Sequence, residues 1–263
     1  ADIIAIPYLT MIDAEKLRPI QDWILEHQDT TILSICAGAD VLASTGLLDG
    51  KTGATHWQTM PLLTKKYPDV NWVQDRRYVV NHEGKMISSA GISSGIDASL
   101  YLISKKLGEP AAAAIAAELH YPSYHYVENP EVEPYKIDIK YSTYVLNNAF
   151  QWVDSKLGVM LYNGVEEMAV ASVLDIYSDS GTTRALSITQ TEGPVVSKHG
   201  LYILGRHTIQ SPPKVDKLVL PGSNASELAL EEVRLWKERA NGTDPWFVHS
   251  DAKDRFLFEV QLE

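Results

Sequence analysis

Apolar runs of strand length alternate with stretches of helical periodicity along nearly the whole chain, and that alternation most narrows what it can fold into. Ile3–Ile6 is a short apolar run closed by Pro7, and Thr31–Ile35 is another. Runs without polar alternation are expected of strands buried on both faces. Between them, Leu17, Ile20, Ile24 and Leu25 recur at helical spacing within Ala14–His27. The pattern continues with a helix over Ala37–Leu48 closed by Gly50, and strands at Val70–Val80 and Lys85–Ser89 around a His82-Glu83-Gly84 turn. Helices follow at Ile96–Leu107 and Ala111–His120, the second entered through Pro110. Pro122–Tyr144, with three prolines and five tyrosines, reads as a surface connection leading to a helix near Leu146–Lys156.

The alternation then restarts. Strands are expected at Leu157–Tyr162, Arg184–Thr189, Gly200–Leu204 and Lys217–Leu220, and helices at Val165–Tyr177 and Ala225–Ala240. Trp246–Val248 and Phe256–Leu262 are strand-like. Strands separated by helices of this length predict an α/β fold: a doubly wound, mostly parallel sheet flanked by helices. The 263 residues suffice for one large domain of this kind or two small ones.

Composition excludes several roles. With 34 acidic against 23 basic residues the net charge is -11, and there is no dense Lys/Arg cluster, so a nucleic-acid partner is not expected. No apolar run approaches the about 18 residues of a membrane span. Cys36 is the single cysteine, which rules out a disulfide within the chain and a multi-cysteine metal site. The eight histidines show no metal-binding spacing, so no metal and no cofactor is expected. A lone thiol and no signal-peptide pattern suit the cytoplasm. The chain opens on a strand-like segment without an initiator Met, which leaves room for a trimmed targeting or anchoring segment.

Ser34-Ile35-Cys36-Ala37-Gly38-Ala39 is the sharpest local signal. A buried strand runs into Cys36, and small residues follow at once as a helix begins. This is a nucleophile elbow with sulfur in place of a serine oxygen. A thiol at a helix start is biased toward thiolate, and the Ala37 N–H could stabilise an oxyanion. Position outside the carboxyl end of a parallel strand is also where open α/β sheets bind ligands. His56, some twenty residues on, is a candidate base or thiolate partner; a hydrogen-bonded loop histidine is the plain alternative. Ser88–Asp97 is a small-residue strand-to-helix turn, with Asp97 capping or charging the helix start.

The chain also resembles itself. Ala1-Asp2-Ile3-Ile4-Ala5-Ile6-Pro7 matches Val215-Asp216-Lys217-Leu218-Val219-Leu220-Pro221, and each is followed by a helix carrying a tryptophan, Trp23 or Trp236. The first copy's next strand ends at Cys36. The second copy's ends near His249 or Ser250.

Cys36-Ala37-Gly38-Ala39, Leu42–Lys51, Ala54-Thr55-His56-Trp57 and Ser88–Asp97 together resemble the second half of the ThiJ/PfpI (DJ-1) superfamily, a class I glutamine-amidotransferase-like, flavodoxin-like fold. The likeness covers roughly residues 1–122. It is nearest the branch with isocyanide-hydratase-like enzymes and the amidase-like sensor domains of AraC-type regulators. Gly158–Ser178, Val196–Leu204 and Val215–Gly222 resemble the first half of the same family. The halves therefore run in inverted order, either as one permuted domain or as a truncated tandem. The organisation expected is 1–122 (second-half-like, with the elbow), 123–156 (connection and helix), 157–222 (first-half-like) and 223–263 (an appendage repeating the start), with the two family-like segments sharing one composite sheet.

The resemblance implies a cysteine-dependent hydrolase, hydratase or glyoxalase-like activity on a small electrophile, with Cys36 as nucleophile, His56 as proton-transfer or orienting group and the Ala37 N–H as oxyanion donor. The alternatives are a non-catalytic small-molecule sensor and a redox sensor. It further implies a small-molecule ligand and a homodimer. Two departures bear on catalysis. Ala169 stands where the family places an acid beside the cysteine, leaving Glu166 and Glu167 as candidate acids. Pro7-Tyr8-Leu9 stands where the family has a Pro-Gly-Gly turn.

Overall fold

The computed structural model describes residues 2–9, 14–136, 150, 155–179, 182–239 and 243–260. They form two compact units, Ala1–Lys136 and Ile137–Glu263. Each has its own α/β core with parallel strands flanked by helices.

In the first unit, β1 (Ile3–Ile6) pairs in parallel with β2 (Thr31–Ile35) through the helix α1 (Ala14–Glu26). Ile4, Ile6 and Ile32 point to the face that α1 covers with Leu17, Ile20 and Ile24. After β2 come a 3-10 turn at Cys36–Gly38 and the short α2 (Ala39–Ser44), so the helix expected from Ala37 to Leu48 is briefer and starts as a tight turn. The single run expected at Val70–Val80 is two strands. β4 (Asn71–Val73) pairs in parallel with β3 (Thr52–Ala54), and α3 (Met60–Lys66) lies between them. β5 (Tyr78–Asn81) pairs antiparallel with β6 (Met86–Ser89). The polar stretch Gln74-Asp75-Arg76 separates the two, and its backbone bonds elsewhere: Arg77 N–H donates to Pro130 O and Val132 N–H to Asp75 O. The main sheet runs β1-β2-β6-β5. α4 (Ile92–Leu107) covers its other face, packing Ala98 and Leu102 on Leu33, Tyr78 and Ile87. α5 (Glu109–Glu118) follows.

The second unit is a five-stranded sheet. β7 (Ser155–Met160), β8 (Thr183–Thr189), β11 (His207–Thr208), β12 (Lys217–Leu220) and β13 (Pro245–Phe247) lie in the order β11-β8-β7-β12-β13, all parallel. β9 (Val195–Val196) and β10 (Tyr202–Ile203) form a separate antiparallel pair. α6 (Glu167–Asp179) links β7 to β8. The helix expected over Ala225–Ala240 breaks at Ala229 into α7 (Ala225–Leu228) and α8 (Leu230–Arg239). The helix expected near Leu146–Lys156 falls outside the described residues except for Phe150, an exposed bend, and its last two, which begin β7.

Among the described residues, β1, β2, β5 and β6 pair with one another, and β13, from residues 223–263, pairs with β12 of the second sheet. Phe256–Leu262 is not a strand in its described part. Leu257–Val260 is a short helix, α9, because Leu257 and Val260 lie three apart and meet the same side of α6 at Ala169. No described helix is long and apolar enough to cross a membrane.

Candidate active site

Cys36 adopts a left-handed backbone, φ 57°, directly after extended Ile35. A non-glycine residue held there stores of order 1–3 kcal/mol of strain, which persists only where the surroundings over-determine it. The surroundings here are specific. A Cβ on Gly38 would run into the Ile6 carbonyl oxygen and lie 2.7 Å from that of Pro7, so only glycine lets the elbow close on the end of β1. Thr55 Oγ1 donates to the Cys36 carbonyl at 3.2 Å. On the other side, a Cβ on Gly95 would meet Ile35 Cγ2 at 2.8 Å, so α4 approaches the residue before the thiol closely. Cys36 itself is partly exposed and Ala37 buried.

β3 delivers Thr55 to the Cys36 carbonyl and, one residue on, His56 to the start of α4. The His56 ring lies against Gly91, the residue that caps α4, with Cδ2 3.8 Å from where a Gly91 Cβ would sit. The backbone of His56 is pinned by Thr59, whose N–H and Oγ1 both donate to the His56 carbonyl. Trp57 stacks on Tyr135 with centroids 4.5 Å apart. The two sequence-selected side chains of the first unit therefore stand at the carboxyl ends of β2 and β3, beside the start of α4.

Asp97 does not cap that helix; Gly91 does, without a side-chain bond. Asp97 is fully buried, bonded to the Arg77 guanidinium and accepting from Tyr121 Oη at 2.6 Å. Arg77 also donates to Ser93 Oγ at 3.1 Å and lies over the Tyr126 ring. Burial pushes the Asp97 carboxyl up, against the opposing pull of Tyr121 and Arg77. This network fixes the first turns of α4, and sequence reading missed Arg77 and Tyr121. The signal available was a lone acid, Asp97, among small and apolar residues of an otherwise amphipathic helix.

Glu166 and Glu167 lie in the second unit, each with its own partners. Glu166 Oε2 accepts from Ser223 N–H at 2.8 Å and Ser223 Oγ at 3.0 Å, and Lys198 Nζ stands 3.7 Å from Oε1. Glu167 accepts from Ser197 Oγ and from His199 N–H at 2.8 Å, with His199 Nδ1 2.7 Å away. Burial opposes ionisation of Glu167, but these bonds outweigh it and bring the carboxyl down to about 2. Ala169 is buried against Ala252 and Leu257.

Strand register fixes the equivalence that sequence left open between His249 and Ser250. In the first unit Ile6, just before Pro7, faces Ser34, and Cys36 follows two residues later. In the second, Leu220, just before Pro221, faces Phe247, and His249 follows two residues later. His249 therefore occupies the place of Cys36. It is fully buried, and its Nδ1 accepts from Gly222 N–H at 3.1 Å, so the neutral ring carries its proton on Nε2. Its backbone is not left-handed. Burial pulls its pKa down to about 4 against the Glu166 carboxylate and the Leu257 backbone. The unfolded chain then takes up this proton first as pH falls from about 6.5, and the second unit should lose about 3 kcal/mol of stability by pH 4. Denaturant unfolding at pH 7 and pH 4.5 checks this. A loss equally large in His249→Gln would assign it to other groups, since Glu167 acts only below its ordinary value of 4.5. Among the described residues no group of His, Cys, Asp and Glu is arranged to hold a metal.

Residues 20–105 match the DJ-1/PfpI family. Over 110 residues the chain is 31% identical to the HTH-type transcriptional regulator CdhR of Pseudomonas aeruginosa, covering 40% of this chain and 32% of that protein. Over 90 residues it is 33% identical to an isonitrile hydratase of Pseudomonas putida, covering 34% of this chain and 37% of that one. The chain thus spans about a third of the length of these relatives. Among solved structures, a DJ-1 superfamily protein from Salmonella typhimurium is similar at 26% identity, TM-score 0.39, over 46% of this chain and 65% of that one. Drosophila melanogaster DJ-1beta is similar at 20% identity, TM-score 0.35, over 44% and 61%. The segment similar to the DJ-1/PfpI family therefore contains the cysteine elbow, His56 and the start of α4.

Proposed function

We propose that the first unit performs cysteine-dependent chemistry on a small electrophile, in the hydrolase, hydratase or glyoxalase class. The observation that carries this is the left-handed Cys36, locked between Gly38 and Thr55 at the carboxyl end of a parallel strand. Strain of this kind collects at functional sites. The Cys36 thiolate adds to an electrophilic carbon and forms a C–S bond. The displaced electron pair moves onto the substrate heteroatom, where the Ala37 N–H donates to it and His56 supplies a proton. Water then breaks the C–S bond and returns a proton to the histidine.

A second reading, a small-molecule or redox sensor built on the same thiol, is favoured by one specific feature: Pro7-Tyr8-Leu9 offers no glycine turn beside the elbow. The relatives do not choose between them, one being named a regulator and the other a hydratase at similar identity. A homodimer and a reducing, cytoplasmic setting complete the proposal.

The test is the pH dependence of Cys36 alkylation, with Cys36→Ser as blank. Reactivity is expected to rise well below the reference thiol pKa of about 8.5, and turnover in a substrate screen should vanish in Cys36→Ala. An ordinary thiol profile would exclude both catalysis and redox sensing. An activated thiol with ligand-induced stabilisation but no product would establish the sensor.

A further inference from the structure

The connection that follows α5 is laid onto the first unit and held there by its own backbone. The Arg77 N–H donates to the Pro130 carbonyl at 2.7 Å, and the Val132 N–H donates to the Asp75 carbonyl at 2.9 Å. Arg76 and Glu131 form an isolated bridge, with their side-chain charges 3.7 Å apart. These bonds fix the strap without help from its aromatic residues. Further along, Tyr135 nonetheless stacks on Trp57, with centroids 4.5 Å and planes 27° apart, while staying 52% exposed. A ring that served only as an anchor would be expected to bury itself.

The stack stands beside the candidate site. The Trp57 and His56 ring centroids are 5.4 Å apart. His56 lies against Gly91, after β6, and Thr55, the residue before it, bonds the Cys36 carbonyl. On the other side of β2, Tyr8 is 56% exposed and follows Pro7, whose carbonyl abuts Gly38 of the elbow. Aromatic residues therefore flank the strand of the thiol on both sides. Arg77 is committed to Asp97, Ser93 and the Tyr126 ring, so it is not a handle for an anionic substrate. Trp and Tyr rings present flat, rigid, largely apolar surface at low entropic cost, and other planar rings meet them offset-stacked or edge-to-face.

We propose that Trp57 and Tyr135 are specificity-determining residues, which select for Cys36 those electrophiles that carry an aromatic ring. The ring packs against the Trp57–Tyr135 stack, and this holds the electrophilic carbon of the same molecule toward the thiol. An aliphatic group of equal size buries similar area but gains no ring–ring contact. The stack reads only the substituent, so the selection is independent of which carbon reacts. This rests on the reading of Cys36 as the group that meets the substrate, and it names the class of substrate which that reading leaves open.

Cys36 is the single cysteine, so its alkylation can be followed directly, with Cys36→Ser as blank. The probes are N-phenylmaleimide and N-cyclohexylmaleimide, which share a reacting group and differ in whether the ring is planar and aromatic. The ratio of their rates on the native protein is expected to exceed the same ratio on glutathione by about five-fold, the size of one ring–ring contact. Both reagents meet the same thiol, so its activation cancels in the ratio. The iodoacetamide pH profile reads that activation separately: an ordinary profile would sink the cysteine chemistry and still leave the ratio readable. Tyr135→Leu, at an exposed position, should bring the ratio back toward the glutathione value, and Trp57→Leu should do the same. A native ratio equal to or below that on glutathione would overturn the proposal. So would a raised ratio that survives in Tyr135→Leu, and so would failure of both maleimides to label Cys36.

Discussion

Alanine at position 38 should destabilise the first unit by about 3 kcal/mol, a large overpacking penalty, and blunt the reactivity of Cys36. The added methyl has nowhere to go, because it meets backbone oxygens of Ile6 and Pro7 rather than the tip of a flexible side chain. Either β1 moves away from the elbow or the elbow opens, and both release the backbone that holds Cys36 left-handed. Hydrogen exchange of β1 and β2 amides reads the first effect and the alkylation rate the second. Gly193→Ala is the control, since its new Cβ would have only Thr191 Oγ1 near it, at 3.7 Å. Wild-type exchange and alkylation in Gly38→Ala would mean that the contact does not set the elbow.

Asp97→Ala should cost about 3–5 kcal/mol, the range for removing one partner of a buried ion pair. Arg77, 15% exposed, would keep its charge without its carboxylate, and Tyr121 Oη would lose its acceptor. The asymmetry is the informative part. Burial already pushes the Asp97 carboxyl up despite Arg77 and Tyr121, so desolvation consumes most of what the pair gains. Replacing both partners, Arg77→Met with Asp97→Leu, should therefore cost much less than Asp97→Ala alone. Denaturant unfolding of the single and double variants decides it. A double variant as unstable as Asp97→Ala alone would show that the pair is a net source of stability rather than a device for fixing the start of α4.

The core strands were legible because their apolar runs are uninterrupted: Ile3–Ile6, Thr31–Ile35 and Lys217–Leu220 are read from the sequence at the bounds observed. Phe256–Leu262 misled because a run of apolar residues with two phenylalanines satisfies strand propensity, while Leu257 and Val260 find their partners on α6. The thiol and His56 stood out by chemistry and spacing. Thr55, Arg77 and Tyr121 did not, because their roles come from contacts 19 to 24 residues away in sequence. The division of the described strands into four sheets was likewise invisible, since pairing partners are set by long-range packing and not by the composition of the strands.

The relaxed backbone at His249 limits what a substitution there can achieve. A thiol at that position would take one substitution, but the second unit lacks the left-handed turn that holds Cys36. It has committed the neighbouring Gly222 amide to a histidine ring as well. A cysteine at that position would sit in a settled interior with no tension behind it and no vacant donor before it. A single substitution therefore cannot recreate the elbow: the turn and the Gly222 amide would have to change with it.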